Sequence, residues 1–316
     1  MKKFLKRIRS FYPVNIFVRT IIRSLFSPSS SIRKYFSIHW PVTGTISFSL
    51  PDGERVKLYS KSDDYITTQA FWKGFKGYEA ESVELFYRLS KRADTIYDIG
   101  ANIGFFSLIA SMANPSAKIY AFEPVPKISE RLKKNIGLNK ATFTKAVTAA
   151  VGNLDEMITF YVPDSSAMPL AASTKEDWAE KKITITVPSV KLDTFIAENS
   201  CGERILIKMD CEFHEAEALE GMKDLLAKKK PAILMEVLFP QSEGVVGHFE
   251  SDQHLVIQRV MKEAGYQFYM ITEEGLQRVD ELIYNERDRN YLFSSVISDQ
   301  RSISYTDIKV IESLVS

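Results

Sequence analysis

The chain has 316 residues, 45% of them hydrophobic, with 20 Phe and 14 Tyr, which is enough to bury a large core and argues against a disordered protein. Its two cysteines, Cys201 and Cys211, furnish neither a disulfide framework nor a metal-ligand cluster and point to a reducing, cytoplasmic setting. The net charge of +1 hides an asymmetry: nine of the 41 bases precede Asp52 with no acid among them, and the other 32 face 40 acids. An acidic body argues against a nucleic-acid partner, while the basic head suits a negatively charged surface or protein.

Residues 1–40 read as a basic amphipathic segment. Leu5, Ile8 and Phe11 or Tyr12 recur at helical spacing among cations, and beyond Pro13 the run VNIFVRTIIRSLF carries Arg19 and Arg23 on one face. No uncharged stretch reaches the roughly 18–20 apolar residues of a bilayer span, and no uninterrupted signal-peptide core is present. Three readings stay open: a membrane-surface helix giving peripheral contact, a helix packed on the body or a partner, and an organellar transit peptide. SPSSS at 27–31 reads as a linker.

Residues 41–92 contain a β-hairpin and a helix. Ile46, Phe48 and Leu50 alternate before a Pro51-Asp52-Gly53 turn, with Val56 and Leu58 after it. The helix spans about Glu79 to Lys91, with Val83, Phe86 and Leu89 at helical spacing. The core domain takes residues 93–298, and 299–316 form a tail.

The core is organised around TIYDIGANIG, Thr95 to Gly104: an apolar strand ends in Asp98 and runs into a glycine turn that opens the helix FFSLIASMA. This is the general device for holding a nucleotide-like ligand. The next strand, KIYAFEP, ends in Glu123, 19 residues past Gly104, where such folds place a carboxylate on ribose hydroxyls. Asn102 stands where a dinucleotide fingerprint has its second glycine, which argues against NAD or FAD. Asp98 is poorly suited to a pyrophosphate and well suited to a ligand with an ammonium and a sulfonium, a description that S-adenosylmethionine meets.

Beyond Glu123 the pattern predicts a helix from Pro126 to about Leu138, a third strand over Thr144–Val151, and an antiparallel insertion from ITFYV and ITITV. The fourth strand is ILIKMD, followed by one helix, EAEALEGMKDLLAKK, and the fifth strand PAILMEVLF. A glycine- and histidine-rich loop (Ser242 to Phe249) precedes a helix from near Asp252 to Gly265, and YQFYMI and NYLFSSVIS are the last strands. Strands alternating with helices call for a doubly wound, mostly parallel sheet. Four strands end in acids, Asp98, Glu123, Asp210 and Glu236, and in such a sheet these ends gather along one crevice. A row of carboxylates there wants a cationic or hydroxyl-bearing ligand.

DIGANIGFFSL, YAFEP, AAVGN, LIKMDCEFHEAEALEGM and PAILMEV follow one another in the order of the FkbM family of S-adenosylmethionine-dependent methyltransferases, which the chain resembles over about residues 75–295. The resemblance implies a Rossmann-like class I methyltransferase fold with a mostly parallel seven-stranded sheet and a helical and β-hairpin N-terminal extension. It implies S-adenosylmethionine as cofactor and O-methylation of a hydroxyl on a saccharide, glycolipid or secondary-metabolite acceptor. The alternative is a degenerate fold that binds cofactor or partner without chemistry. In the family the fourth-strand motif runs Lys-Ile-Asp-Val-Glu-Gly; here Phe213 replaces its glycine.

The shape of S-adenosylmethionine assigns the cofactor roles. Amides of Gly100, Ala101, Asn102 and Gly104 receive its carboxylate, Asp98 faces its ammonium, and Glu123 takes both ribose hydroxyls. Pro124, Ala150 and Val151 line the adenine. Asn102 is equally readable as a turn residue. For chemistry, Asp210 is the functional carboxylate, His214 a candidate base, and Lys208 neutralises Asp210 or steadies a developing alkoxide. In the bland alternative Glu212 and Glu215 cap the next helix and His214 is merely exposed. His248 and His254 are rival bases. Gly77-Tyr78-Glu79 is either a substrate contact or a simple helix start. Asp210, Glu212, His214 and Glu236 are suitable ligands for Mg²⁺ or Mn²⁺, but nothing in their spacing demands a metal and none is assigned.

Overall fold

Near-continuous apolar runs build the centre of the molecule: β3 (Thr95–Ile99) and β9 (Ile205–Met209) are buried at every residue, as strands covered on both faces must be. The computed structural model describes residues 11–27, 30–164, 173–174, 182–239, 253–285, 288–296 and 300–315.

The N-terminal extension comprises α1 (Tyr12–Leu25), α2 (Ser31–His39), the hairpin β1 (Thr43–Ser49) and β2 (Arg55–Lys61), α3 (Tyr65–Lys73), a 3₁₀ turn (Phe75–Gly77) and α4 (Ala80–Ser90). The hairpin pairs as its alternation predicts, burying Ile46, Phe48, Leu50, Val56 and Leu58. Of the 27–31 stretch read as a linker, residues 28 and 29 lie outside the described residues, Ser30 caps α2 by accepting from the Arg33 amide at 3.2 Å and Ser31 begins that helix. Asp64 caps α3 through the Thr67 amide at 2.6 Å, and Gly74 ends it at φ +78°.

The core continues through α5 (Phe105–Ala113), β4 (Lys118–Phe122), α6 (Pro126–Asn139), β5 (Thr144–Val147), β6 (Ala150–Val151), β7 (Met157–Pro163), β8 (Lys182–Val190) and α7 (Leu192–Glu198). After β9 come α8 (Glu215–Glu220), α9 (Lys223–Lys228), β10 (Ala232–Glu236), α10 (Gln253–Glu263), β11 (Gln267–Thr272), β12 (Gly275–Val279), β13 (Asn290–Ser294), β14 (Ser302–Ser304) and α11 (Ile308–Ser313). The main sheet runs β14-β12-β11-β13-β10-β9-β3-β4-β5. From β10 to β5 every pair is parallel, whereas β13 lies antiparallel between β10 and β11. The seven expected strands are joined by β12 and β14, which extend the antiparallel edge. Strand order reverses between β3 and β9, the switch point at which such sheets open a crevice.

Two stretches differ from the sequence reading. The third strand is split: β5 stays in the main sheet, but Ala150 and Val151 pair parallel with Ser189 and Val190 of the β7–β8 insertion. The single helix expected after β9 is broken in two. Gly221 gives its carbonyl to the Asp193 amide at 3.1 Å, and the Asp193 carboxylate accepts from the Asp224 and Leu225 amides at 2.9 Å each, capping a new helix.

Side chains of α6 tie the extension to the core. Asn135 and Asn139 accept from the edge-strand amides of Tyr59 and Lys57 at 2.9 and 2.8 Å. Arg131 makes a two-pronged pair with Asp63 at 3.1 and 3.0 Å. These contacts set α3 and the start of α4 against the switch point.

Candidate active site

The glycine turn after β3 is shaped by close approach. Gly100 has φ +82°, and a Cβ on it would lie 1.9 Å from the Asp210 carbonyl oxygen, so the position takes only glycine. Asn102 adopts φ +48°, as a turn residue tolerating left-handed geometry does. Gly104, at φ +91°, caps α5 where a Cβ would meet Leu132 at 2.6 Å. Gly104 does not line the cleft; it lets α5 leave the turn.

The amides of this turn, expected to cradle an anion, are engaged within the protein here. Gly100 and Ala101 donate to the Phe122 carbonyl at 3.0 and 2.8 Å, and Gly104 donates to Ala101 at 2.8 Å. Asn102 donates to Glu123 Oε2 at 3.1 Å, and Ile103 to Asn102 Oδ1 at 2.8 Å. A ligand carboxylate must displace one of these bonds or find another partner.

Glu123 therefore has a structural task. Its Oε1 accepts from the Val125 amide at 2.8 Å while Oε2 holds Asn102, so one carboxylate staples the turn to the end of β4. Burial pushes its pKa up to about 7, although both amide bonds oppose the rise. Asp98, 2% exposed, accepts from the Ser107 hydroxyl at the N-terminus of α5, and burial lifts its pKa to about 6.

Opposite the turn, β9 delivers Lys208 and the loop after it delivers Asp210. Lys208 is 1% exposed, with Nζ 3.6 Å from Glu79 Oε2, 3.9 Å from Asp210 Oδ2, and 5.0 Å from the centre of the Phe106 ring. Among the described residues no acceptor comes within hydrogen-bond distance of this ammonium. Desolvation works to lower its pKa, but Glu79, Asp210, Glu236 and Asp98 together raise it above the ordinary lysine value. The same crowding acts in reverse on the acids. Burial, then Asp210, holds the pKa of Glu212 and Glu236 well above the carboxylate range, and burial raises Glu79 against the pull of Lys208.

The loop from Asp210 to His214 is bent by two consecutive left-handed residues, Glu212 at φ +52° and Phe213 at φ +69°. Cys211 donates to Glu215 Oε1 at 2.9 Å, Ser173 Oγ donates to the Glu212 carbonyl at 2.7 Å, and Gln253 donates to that of Phe213. Glu215 thus steadies the loop, and burial pushes its pKa up to about 7. His214 is buried at 7% exposure rather than displayed to solvent, with Nδ1 3.4 Å from Thr174 Oγ1 and 3.7 Å from Glu217 Oε2.

One cleft collects Asp98, Gly100, Ala101, Asn102, Glu123, Pro124, Ala150, Val151, Lys208, Asp210 and His214; its empty volume, open solvent at the mouth included, is about 820 Å³. Ile66, Tyr78, Glu79, Ile99, Phe105, Phe106, Phe122, Ile128, Ala149, Phe160, Cys211 and Glu212 complete its lining. Of these, Ile66 and Phe160 carried no sequence signal, since the alternation of ITFYV shows that Phe160 faces inward but not toward what. Glu236 ends β10 beside this lining without joining it, and His254 instead packs its ring 4.9 Å from that of Phe239. His248 lies outside the described residues. No group of three or more His, Cys, Asp or Glu among the described residues is arranged to hold a metal ion.

The fold is thus Rossmann-like, of the class I methyltransferase kind, with its carboxylate-lined cleft at the switch point. Residues 98–268 match the family described as Methyltransferase FkbM domain, and the chain belongs to that family. It is 30% identical over 162 residues to the 31-O-demethyl-FK506 methyltransferase FkbM of Streptomyces tacrolimicus, covering 42% of this chain and 60% of that one. It is 24% identical over 151 residues to the hexuronic acid methyltransferase AglP of Haloferax volcanii (47% and 58% covered). With the 2-O-methyltransferase NoeI of Sinorhizobium fredii it shares 26% over 152 residues (45% and 63% covered). The matches therefore span only about 60% of these relatives' own lengths. Among solved structures, methyltransferase FkbM from Methylobacillus flagellatus superposes with a TM-score of 0.41 at 14% identity, covering 73% of this chain and 55% of that one.

Proposed function

We propose that this protein transfers a methyl group from S-adenosylmethionine to a hydroxyl of a saccharide, glycolipid or secondary-metabolite acceptor. The observation that carries the reading is the convergence of Asp98, Glu123, Asp210 and Lys208, from neighbouring strand ends, on one cleft. The names of relatives, one a hexuronic acid methyltransferase and one a 2-O-methyltransferase, support the acceptor class. In this reading residues 93–298 carry catalysis, residues 41–92 close the cleft with Ile66, Tyr78 and Glu79, and 1–40 and 299–316 are appendages. The free thiols Cys201 and Cys211 suit a cytoplasmic setting, and the basic head suits peripheral membrane contact.

The cleft's donor set fits the cofactor. Each Glu123 oxygen accepts one amide and keeps acceptor capacity for a hydroxyl, which suits a ribose diol. Phe122, Pro124, Ile128 and Ala149–Val151 offer an apolar wall for a purine. Carboxylates outnumber Lys208 around the rest of the cleft, which favours a cationic ligand. When bound, S-adenosylmethionine supplies the electrophilic methyl group.

The chain's own residues do the rest. Asp210 accepts the proton of the acceptor hydroxyl. Lys208, held between Glu79 and Asp210, places a buried positive charge beside the oxygen as it becomes an alkoxide. His214, in the same cleft, is the second candidate base. Positioning contributes much of the rate, because methyl transfer needs an in-line approach. The rival, a fold that binds without chemistry, is favoured by Phe213 alone. Turnover separates the two: methyl transfer from S-adenosylmethionine to a hydroxyl acceptor, lost in Asp210→Ala, is expected only of the enzyme, while calorimetric titration with S-adenosylhomocysteine tests the cofactor site. Binding that is lost in Glu123→Ala and kept in Asp210→Ala supports the assignment, and a wild type that does not bind overturns it.

A further inference from the structure

Seven of the fifteen large apolar side chains exposed among the described residues fall within residues 11–38. On α1, Phe17, Ile21 and Leu25 recur every four residues as one stripe; on α2, Ile32, Tyr35 and Ile38 recur every three. The arginines take the other side. Arg19 is buried with its guanidinium carbon 4.1 Å from the centre of the Phe71 ring, and Arg23 stands 5.0 Å from the same ring. Arg33, also buried, donates to the carbonyls of Trp72 at 2.7 Å and Phe26 at 3.3 Å. Cation–π contacts and carbonyl bonds dock these helices together with Ile22 and Phe36, which pack against the core, and the other apolar stripes turn outward. Amphipathic helices on a soluble core do the reverse, and an exposed apolar patch of this kind marks an interaction surface.

Charge identifies what covers it. Residues 1–51 carry nine bases and no acid, and five of those bases, Lys2, Lys3, Lys6, Arg7 and Arg9, precede Phe11 directly. A two-fold contact between copies would bring two such segments together with no acid in either to offset them. An anionic lipid surface supplies both halves of the match, an apolar layer for the stripes and negative headgroups for the bases. We propose that the outward face of α1 and α2 docks on an anionic lipid surface, with Phe17, Ile21, Leu25, Ile32, Tyr35 and Ile38 as the inserting side chains. α3 links the docking helices to the cleft, carrying Phe71 under the arginines and Ile66 in the cleft lining. The inference stands on the extension alone and does not depend on the methyltransferase reading.

Co-sedimentation of the full chain with phosphatidylcholine vesicles, with and without phosphatidylglycerol, tests it. The expected result is partition onto the anionic vesicles, weakened roughly tenfold or more by Phe17→Ser, Leu25→Ser and Ile38→Ser together. The thermal midpoint should not fall, because all three side chains are exposed. A separate Phe17→Trp variant should show a blue-shifted emission component, absent from the wild type, only with anionic vesicles. Failure of the wild type to sediment overturns the proposal, and so does binding that the triple variant retains in full. Light scattering that finds a dimer, converted to monomers by the triple variant, assigns the face to a second copy and likewise overturns it.

Discussion

Gly100 and Asp210 meet back to back across the switch point. The Asp210 amide donates to the Ile99 carbonyl at 3.0 Å, and the Asp210 carbonyl oxygen occupies the space a Cβ on Gly100 would need, 1.9 Å from its ideal position. The turn that faces the proposed cofactor and the loop that carries the proposed base are therefore one mechanical unit. Gly100→Ala should fail on two counts, the steric overlap with backbone and the φ of +82°. The expected cost is roughly 3 kcal/mol or more, read as a lower urea midpoint. Affinity for S-adenosylhomocysteine should fall with it even where the variant remains folded, because the neighbouring turn must shift.

Stability and ligand binding should respond to pH in opposite directions. Burial sets Asp98 at about 6 and both Glu123 and Glu215 at about 7 in the folded protein, above the values these acids have in an unfolded chain. Between about pH 4 and 7 the native state thus holds more protons than the unfolded state, so stability falls as pH rises through this window. The thermal midpoint should be higher at pH 5.5 than at pH 8, and Glu215→Gln should flatten part of the slope. A cationic, hydroxyl-bearing ligand prefers the ionised carboxylates, so affinity for S-adenosylmethionine should weaken as pH falls below about 7. Affinity and midpoint that rise together on acidification would remove Glu123 and Asp98 from the ligand site.

What the sequence made legible is local. The strand that ends in Asp98, the turn and Glu123 could be read because apolar runs, glycines and acids punctuate each element in place. The split after Val147 could not, because Ala150 and Val151 choose between two sheets according to the insertion they meet. The engagement of the turn amides depends on the Asn102 φ and on the direction of the Glu123 side chain, neither of which leaves a trace in residue order. Ile66 and Glu79 enter the cleft through the packing of the extension on the core, which Arg131 and Asn135 on α6 help to hold. The cations of the first helix were visible at once, but their inward turn follows from Phe71, about fifty residues away.

Lys208 should matter to both stability and chemistry, and pH separates the two. Lys208→Met removes the cation that sits among Glu79, Asp210 and Asp98, taking away the counter-charge it gives these carboxylates. At pH 8 the loss should be roughly 3 kcal/mol. Near pH 5 it should shrink, because the acids take up protons instead. Glu79→Gln should be milder, since Asp210 remains 3.9 Å from the ammonium. For methyl transfer, a fall in kcat with little change in KM would place Lys208 in the transition state; a change in KM alone would restrict it to binding.

Phe213 is where the loop departs from the family's glycine, and two effects compete there. A left-handed φ of +69° strains a phenylalanine, at a cost of about 1 kcal/mol that glycine would not bear. The ring is also 1% exposed, and its loss leaves a cavity worth about 3–5 kcal/mol. Packing wins, so Phe213→Gly should destabilise the protein by roughly 2–4 kcal/mol even though it restores the motif. Binding of S-adenosylhomocysteine should survive, because Glu123 and the glycine turn reach the cleft from other strands. A variant more stable than the wild type would mean that the strain outweighs the packing and that the loop is held bent by its neighbours, the Gln253 bond to the Phe213 carbonyl among them.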